Sequence, residues 1–161
     1  MKFRFLILLT VFSLLFCQMA KAADIDEAKA FFDNYVKLCH AYDKSVVDQY
    51  SNAALIKRIL IYPDGKMKPM TMTAADLKKK LKMYRYLAIV TRYKTNYYNL
   101  KYTKEGKNVR LEGQRQVVSE NYRTPISLLI GKDSTGKTVI LEEILHTKGI
   151  HFFFKNSGPK K

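Results

Sequence analysis

The first amphipathic pattern in the chain covers residues 24–50 and is typical of a helix. Apolar side chains recur at helical spacing and would share one face: Ala28, Phe31, Tyr35, Cys39 and Tyr42, with Phe32, Val36 and Leu38 beside them. Three acidic residues stand in the first turn, where the helix dipole favours negative charge: Asp24, Asp26 and Glu27. The pattern predicts a long helix that breaks near Asp43 and resumes toward Tyr50.

The next two segments read as a hairpin and a second helix. Residues 55–62 are rich in strand formers, and Pro63-Asp64-Gly65 supplies the chemistry of a turn. Thr73 and Asp76 fit a capping box at the start of a helix over residues 73–88. The apolar stripe of this helix is narrow and consists of Leu77, Leu81 and Tyr84. A helix lying on a membrane would look similar, but the narrow stripe and short segment favour packing on a sheet.

The rest of the chain alternates in the manner of four strands joined by turns. They are predicted at residues 88–102, 108–120, 125–132 and 137–147. The stretch GKDSTGKT, residues 131–138, matches the pattern of a phosphate-binding loop. Such a loop leads into a helix, whereas Val139 and Ile140 favour a returning strand. We therefore interpret the stretch as a hairpin turn and expect no nucleotide partner.

Strand alternation puts two charged residues on apolar faces. Arg115 shares its face with Val109, Leu111, Gly113 and Val117. Glu143 shares a face with Val139, Leu141 and Leu145, although Ile140 and Ile144 leave that assignment open. The strand before them presents a mixed aromatic face made of Ile89, Thr91, Tyr93, Thr95 and Tyr97. With Tyr35 approaching from the long helix, the candidate ligand-binding residues are Tyr35, Tyr93, Tyr97, Arg115 and Glu143.

An arginine among tyrosines suits an anionic ligand, because the planar guanidinium binds a carboxylate through two hydrogen bonds. The alternative is that Arg115 and Glu143 neutralise each other in the core, or that Arg115 extends to the rim. This alternative is favoured, because buried charges are normally paired.

The N-terminus has the three parts of a signal peptide. Lys2 and Arg4 precede an apolar run at residues 5–16, and Ala20-Lys21-Ala22 forms a cleavage signal. The run is shorter than the ~20 residues that a membrane-spanning helix needs. We predict cleavage after residue 22 and a periplasmic or otherwise exported protein, soluble after processing. A single domain would follow at residues 23–150, with a flexible basic tail at residues 151–161.

The chain has a formal net charge of +15, and the signal peptide would remove three basic residues and no acidic ones, leaving +12. Such a surplus favours an anionic ligand, protein or envelope partner, although a merely solvated basic surface is the alternative. The basic and aromatic stretch TRYKTNYYNLKY resembles single-strand nucleic-acid binders. Tyrosine and lysine are also ordinary in exposed strands, so a nucleic-acid partner is not favoured. A homodimer through the sheet is a further expectation.

No set of residues predicts a cofactor, a metal or a catalytic group. The three histidines lack metal-ligand spacing with cysteines or carboxylates. Cys39 would be the sole cysteine after processing, which excludes an intramolecular disulfide. Its position on the apolar helix face predicts a packed thiol rather than a nucleophile.

The order of long helix, short helix, hairpin, helix and four strands over residues 24–147 resembles the nuclear transport factor 2-like superfamily, also called the cystatin-like α+β cone. The resemblance implies an α+β fold in which a strongly bent antiparallel sheet wraps N-terminal helices around a cone-shaped cavity. Members of the superfamily include ligand-binding and protein-binding modules and enzymes similar to ketosteroid isomerase. The isomerases use a carboxylate base in the cavity, where this chain offers Arg115. We therefore favour a non-enzymatic binding module, with a small-molecule isomerase or lyase as the alternative.

Overall fold

The computed structural model describes residues 24–148, so the predicted signal peptide and basic tail lie outside the described residues. The first helix, α1, covers residues 24–40, and a 3-10 helix follows at Lys44–Gln49. The remaining elements are β1 (Tyr50–Ile61), β2 (Met67–Met72), α2 (Ala74–Val90), β3 (Thr95–Glu105), β4 (Asn108–Val117), β5 (Thr124–Lys132) and β6 (Thr138–Lys148).

The described strands form one six-stranded sheet in the order β2-β1-β6-β5-β4-β3. The sheet is mixed rather than antiparallel as predicted, because β1 and β6 run parallel while all other neighbours are antiparallel. The parallel pair joins the first strand to the last, so nothing in the local sequence signals it. The sheet is open, and the helices pack against one face, which we call the inner face. The α+β class predicted from the sequence is confirmed.

Helix α1 lies along the inner face from one end of the sheet to the other. Its first turn is held by ion pairs from Asp24 to Lys104 and from Glu27 to Lys132. At its far end His40 Nε2 is 2.9 Å from the carbonyl oxygen of Thr95, where β3 begins. The predicted apolar face is buried against the sheet: Ala28, Phe32 and Tyr35 are all at most 8% exposed.

Both helices end in a Schellman motif without glycine. In α2, Arg92 has a φ of 52°, and its N–H donates to Ile89 while Tyr93 N–H donates 2.9 Å to the carbonyl of Ala88. The first helix ends likewise at Tyr42, with a φ of 53°. A left-handed residue is usually glycine here, so the end of α2 carries no sequence signal. The predicted strand start at residue 88 is therefore wrong: α2 continues to Val90.

The local turn and cap chemistry is confirmed. Thr73 Oγ1 accepts a hydrogen bond of 3.1 Å from Asp76 N–H at the start of α2. The stretch GKDSTGKT is the hairpin turn between β5 and β6, closed by a 2.9 Å bond from Asp133 N–H to the carbonyl of Lys137. Gly136 takes the left-handed backbone with a φ of 82°. Since a strand follows this turn, the geometry of a phosphate loop is not formed.

A bulge in β3 shapes the sheet beside the candidate site. Asn99 has a φ of 53°, and the register of β3 against β4 shifts between Tyr98 and Lys101. Gly113 lies opposite the bulge, and a Cβ atom there would sit only 2.9 Å from the backbone carbonyl oxygen of Tyr98. Glycine is therefore required for the close approach of the two strands.

Candidate functional site

Arg115 lies on the inner face of the sheet, as the alternation predicts. It pairs with Tyr97 on β3 and with Thr124 on β5. Its Nε atom is buried without a hydrogen-bond partner among the described residues. The ion pairs between those residues do not include Arg115 either. The guanidinium therefore keeps binding capacity that residues 24–148 do not fill.

Two of the predicted tyrosines flank this guanidinium. Tyr97 is the cross-strand neighbour of Arg115, and Tyr93 interacts with its charge from the loop that follows α2. Burial raises the pKa of Tyr97 above its usual range, so its hydroxyl stays protonated. Tyr93 is 37% exposed and opens this group to solvent. We call Arg115, Tyr93 and Tyr97 the arginine group.

Glu143 belongs to a second group, which the sequence did not predict. Its carboxylate is 3% exposed and forms an ion pair with Arg58, whose side chain is 11% exposed. Tyr50 Oη donates a hydrogen bond of 2.5 Å to Glu143 Oε2. Tyr35 Oη lies 2.9 Å from Tyr50 Oη and therefore donates to it, since the Tyr50 proton is already used. Tyr35 and Glu143 thus belong to a buried polar network that also includes Tyr50 and Arg58.

The tyrosines of this network are neutral at physiological pH. Burial raises the pKa values of Tyr35 and Tyr50 well above the usual tyrosine range, and the Glu143 charge raises that of Tyr50 further. They act as hydrogen-bond donors rather than bases. The network therefore resembles a structural cluster more than an acid–base set, although Glu143 Oε1 meets Arg58 as an ion pair without a hydrogen bond of good geometry.

The expected Arg115–Glu143 pair is not formed, because Arg58 takes the carboxylate. Ile56 pairs with Glu143 across the parallel strands, which places Arg58 two residues further along the same inner face. Arg115 lies on β4, closer to the end of the sheet than the Arg58–Glu143 pair. Glu143 influences Arg115 only through space.

Two predicted faces also need correction. Ile89 and Thr91 belong to the end of α2, so of the predicted aromatic face only Thr95 and Tyr97 lie on β3. In β6 the register shifts so that Ile130 pairs with Ile140 while Leu128 pairs with Glu143. Ile140, and not Leu141, is thus the residue preceding Glu143 on the inner face. The bulge explains why simple alternation left this strand ambiguous.

Sequence reasoning missed Arg58, Tyr50 and Thr147. Tyr50 was predicted to end a helix, and both faces of β1 are apolar, so the face of Arg58 had no signal. Thr147 is 4% exposed, and its Oγ1 has no hydrogen-bond partner among the described residues. It lies two strands from Arg115, at the same end of the sheet.

Cys39 is a packed thiol beside this network. Burial raises its pKa to about 12, and a hydrogen bond with Tyr35 offsets only part of the shift. The thiolate fraction at pH 8 is then on the order of one in ten thousand, and the thiolate is the reactive form. Within residues 24–148, no group of three histidine, cysteine or carboxylate side chains could hold a metal ion.

We expect Cys39 in the folded protein to react with an aromatic disulfide reagent at pH 8 at least about a hundredfold more slowly than in the unfolded chain. Absorbance at the wavelength of the released thiolate measures both rates, with and without guanidinium chloride. A Cys39→Ser variant identifies the signal. A folded protein that reacts as fast as the unfolded chain would contradict the burial of this thiol.

Comparison with known proteins supports the fold alone. No protein-family model matches the chain, and no curated protein matches it. A nuclear transport factor 2-like protein with a cystatin-like fold from Novosphingobium aromaticivorans has a TM-score of 0.61 and 9% identity, covering 90% of each chain. A yeast complex of the deubiquitinase Ubp3 and the Bre5 cofactor has a similar chain, with a TM-score of 0.53 and 15% identity over 74% of this chain and 92% of that one.

A naphthalene 1,2-dioxygenase with indole bound in its active site also shares the fold, with a TM-score of 0.56 and 8% identity over 78% of this chain and 79% of that one. A deubiquitinase complex and a dioxygenase thus share this fold, and all three identities are low. The chain therefore has the nuclear transport factor 2-like, cystatin-like fold, and its function must be argued from its own residues.

Proposed function

We propose that the protein is an exported, non-enzymatic binding module that takes a small organic anion at the arginine group. One observation carries this proposal: the Arg115 guanidinium is largely buried, yet its Nε has no partner among the described residues. A buried charge normally has a counter-charge. An anionic ligand would supply it.

The charge balance of the inner face supports an anion. Arg58 and Glu143 neutralise each other. Arg115 is then left with a surplus positive charge in surroundings where Coulomb interactions are stronger than in water. Tyr93 accepts a hydrogen bond from the guanidinium through its hydroxyl oxygen, which solvates the cation without neutralising it.

The chemistry of the arginine group favours a carboxylate on an aromatic body. A guanidinium holds a carboxylate through two parallel hydrogen bonds. Tyr97 is the cross-strand neighbour of this guanidinium and Tyr93 hydrogen-bonds it, so aromatic side chains lie beside the cation, and Tyr93 is 37% exposed. An aromatic carboxylate meets both requirements.

An isomerase or lyase acting on the inner face is the weaker candidate. Such an enzyme needs a carboxylate that can take a proton from its substrate. The Glu143 carboxylate already accepts a hydrogen bond from Tyr50 and pairs with Arg58.

Export rests on the pattern of residues 1–22, and an intact mass beginning at Ala23 tests it.

Benzoate titration tests the proposed ligand site. We expect a dissociation constant near or below about 1 mM, a realistic range for so small a ligand. Arg115→Met should weaken binding about tenfold or more, because a charge-assisted hydrogen-bond pair is lost while the apolar stem remains. Isothermal titration calorimetry measures both.

Arg123→Met is the matched control. The Cζ atom of Arg123 lies 3.7 Å from the centre of the Tyr98 ring, so this arginine also stacks on a tyrosine, but its side chain is exposed. It should bind benzoate like the wild type. Equal weakening in both variants would indicate general charge attraction and sink the assigned site. Unfolding curves of both variants establish that each is folded.

A further inference from the structure

The outward side of α2 carries large apolar residues that are more than half exposed. Met83, Tyr86 and Val90 are 57%, 77% and 61% exposed. Their spacing of three and four residues places them in one row along the helix. We call this row the α2 stripe. It lies opposite Ala74 and Leu77, which bury the inward side of the helix.

Exposure of this kind is unusual for a surface helix, whose outward side is normally polar. Leu87 and Ile89 extend the apolar surface on both sides of the row, at 38% and 39% exposure. The C-terminal half of α2 is therefore apolar almost all round. Contiguous exposed apolar surface on a protein commonly marks a site of interaction.

The surroundings of the α2 stripe are strongly basic. Residues 74–94 contain seven lysines and arginines and a single acidic residue, Asp76. Lys79 lies in line with the stripe and Lys82 beside it, and both are exposed. Pairing of this face with a second copy would bring cations against cations, which opposes association. The occupant must therefore offer negative charge together with an apolar layer.

We propose that the α2 stripe docks on a lipid bilayer that contains anionic lipids. Methionine and valine would enter the boundary between headgroups and acyl chains, and Tyr86 suits the same interface. Lys79 and Lys82 would meet the lipid phosphates. In this docked state the α2 helix lies flat on the surface of the bilayer. Residues 24–148 contain no helix long and apolar enough to cross a membrane.

The proposal does not depend on the ligand site, but the two surfaces are adjacent. The end of α2 leads directly to Tyr93 of the arginine group, and Val118 N–H donates 2.9 Å to the carbonyl of Lys94 just beyond it. A protein docked through the stripe would thus hold the arginine group close to the bilayer.

Vesicle sedimentation of the purified protein, its N-terminus fixed by intact mass, tests the proposal. Vesicles of phosphatidylcholine alone are compared with vesicles in which about one third of the lipid is phosphatidylglycerol. We expect binding to the anionic vesicles only, and weaker binding at high salt because screening reduces the lysine contribution. The double variant Met83→Ser and Val90→Ser should bind at least about tenfold more weakly.

The control replaces two other exposed apolar residues, with Met67→Ser and Leu55→Ser, at positions 64% and 50% exposed. A second comparison sets Lys79→Glu with Lys82→Glu against Lys101→Glu with Lys107→Glu. The affinity of the Lys79 and Lys82 variant for anionic vesicles should fall about twenty-five-fold or more, at about fivefold per lysine. The affinity of the Lys101 and Lys107 variant should fall much less.

Equal loss in test and control variants would overturn the proposal, and so would absence of binding to anionic vesicles. Binding to neutral vesicles that the stripe variants retain would point to residues outside the stripe. A dimer in solution that dissociates in the Met83 and Val90 variant would assign the stripe to self-association instead. If vesicle binding is lost only in the variants of the α2 stripe and of Lys79 and Lys82, bilayer docking is supported.

Discussion

Replacing Glu143 with alanine is expected to lower the free energy of unfolding by about 3–5 kcal/mol, the largest effect of any single charge in the described fold. The substitution leaves the Arg58 guanidinium buried without a counter-charge. It also deprives the Tyr50 hydroxyl of its acceptor. Removal of one partner costs more than the pair contributes, because the remaining charge stays desolvated.

Urea unfolding monitored by tyrosine fluorescence and circular dichroism measures the loss. Glu112→Ala, on the exposed outer face of β4, is the control and should change stability by less than about 0.5 kcal/mol. The double variant Arg58→Met with Glu143→Leu should recover the part of the stability lost through the unpaired charge, because apolar residues of similar volume can replace a buried ion pair, while the lost acceptor of Tyr50 is not restored. A Glu143→Ala protein as stable as the control variant would refute the buried network.

Replacing Phe32 with alanine should cost about 3–5 kcal/mol through the cavity that it leaves. Phe32 is 1% exposed, and its ring centre lies 5.0 Å from that of Tyr97 in an edge-on contact and 6.0 Å from that of Tyr35. It therefore supports one tyrosine of the arginine group and one of the Glu143 network. Benzoate affinity should fall as well, because Tyr97 loses the packing that fixes its ring.

Phe31→Ala is the matched control for this change. Phe31 is the adjacent residue of the same helix but is only half-buried, so the cost should be clearly smaller. Chemical denaturation gives both values, and calorimetry gives the benzoate affinities. Equal destabilisation by the two substitutions would mean that α1 does not present Phe32 to the sheet as described.

Features with a local cause could be predicted from the sequence. The capping box at Thr73, the turn at Gly136 and the buried face of α1 each follow from a few neighbouring residues. The break after α1 was also predicted near Asp43, although the left-handed residue that makes it is Tyr42. Element order then sufficed for the α+β fold.

Features that depend on distant pairing could not be predicted. The parallel contact of β1 with β6 joins the two ends of the described domain, and it alone decides that Arg58 meets Glu143. The bulge near Leu141 changes the inner-face residues of β6, and the glycine beside it, Gly131, stands on the neighbouring strand β5 rather than on β6 itself. The end of α2 was misplaced because Arg92 takes a backbone conformation in which glycine is usual.

In the candidate site, too, the features with a local cause could be predicted and those that depend on distant strands could not. Arg115 and Tyr97 were placed correctly because β4 and the start of β3 alternate in a regular manner. Glu143 was assigned to the same group because two charges on one apolar face suggest a pair. Its actual partner is on a strand whose two faces are equally apolar.

The most direct test of the central claim is the NMR signal of the Arg115 Nε–H group, assigned by its absence from the spectrum of the Arg115→Met protein. Titration with benzoate should shift this signal saturably, with the dissociation constant that calorimetry gives, while the signal of Arg123 stays in place. A hydrogen bond from this unpaired donor to the ligand carboxylate is the reason for the shift. A saturable benzoate complex that leaves the Arg115 signal unchanged, or an absence of binding, would contradict the assignment of the arginine group as an anion site.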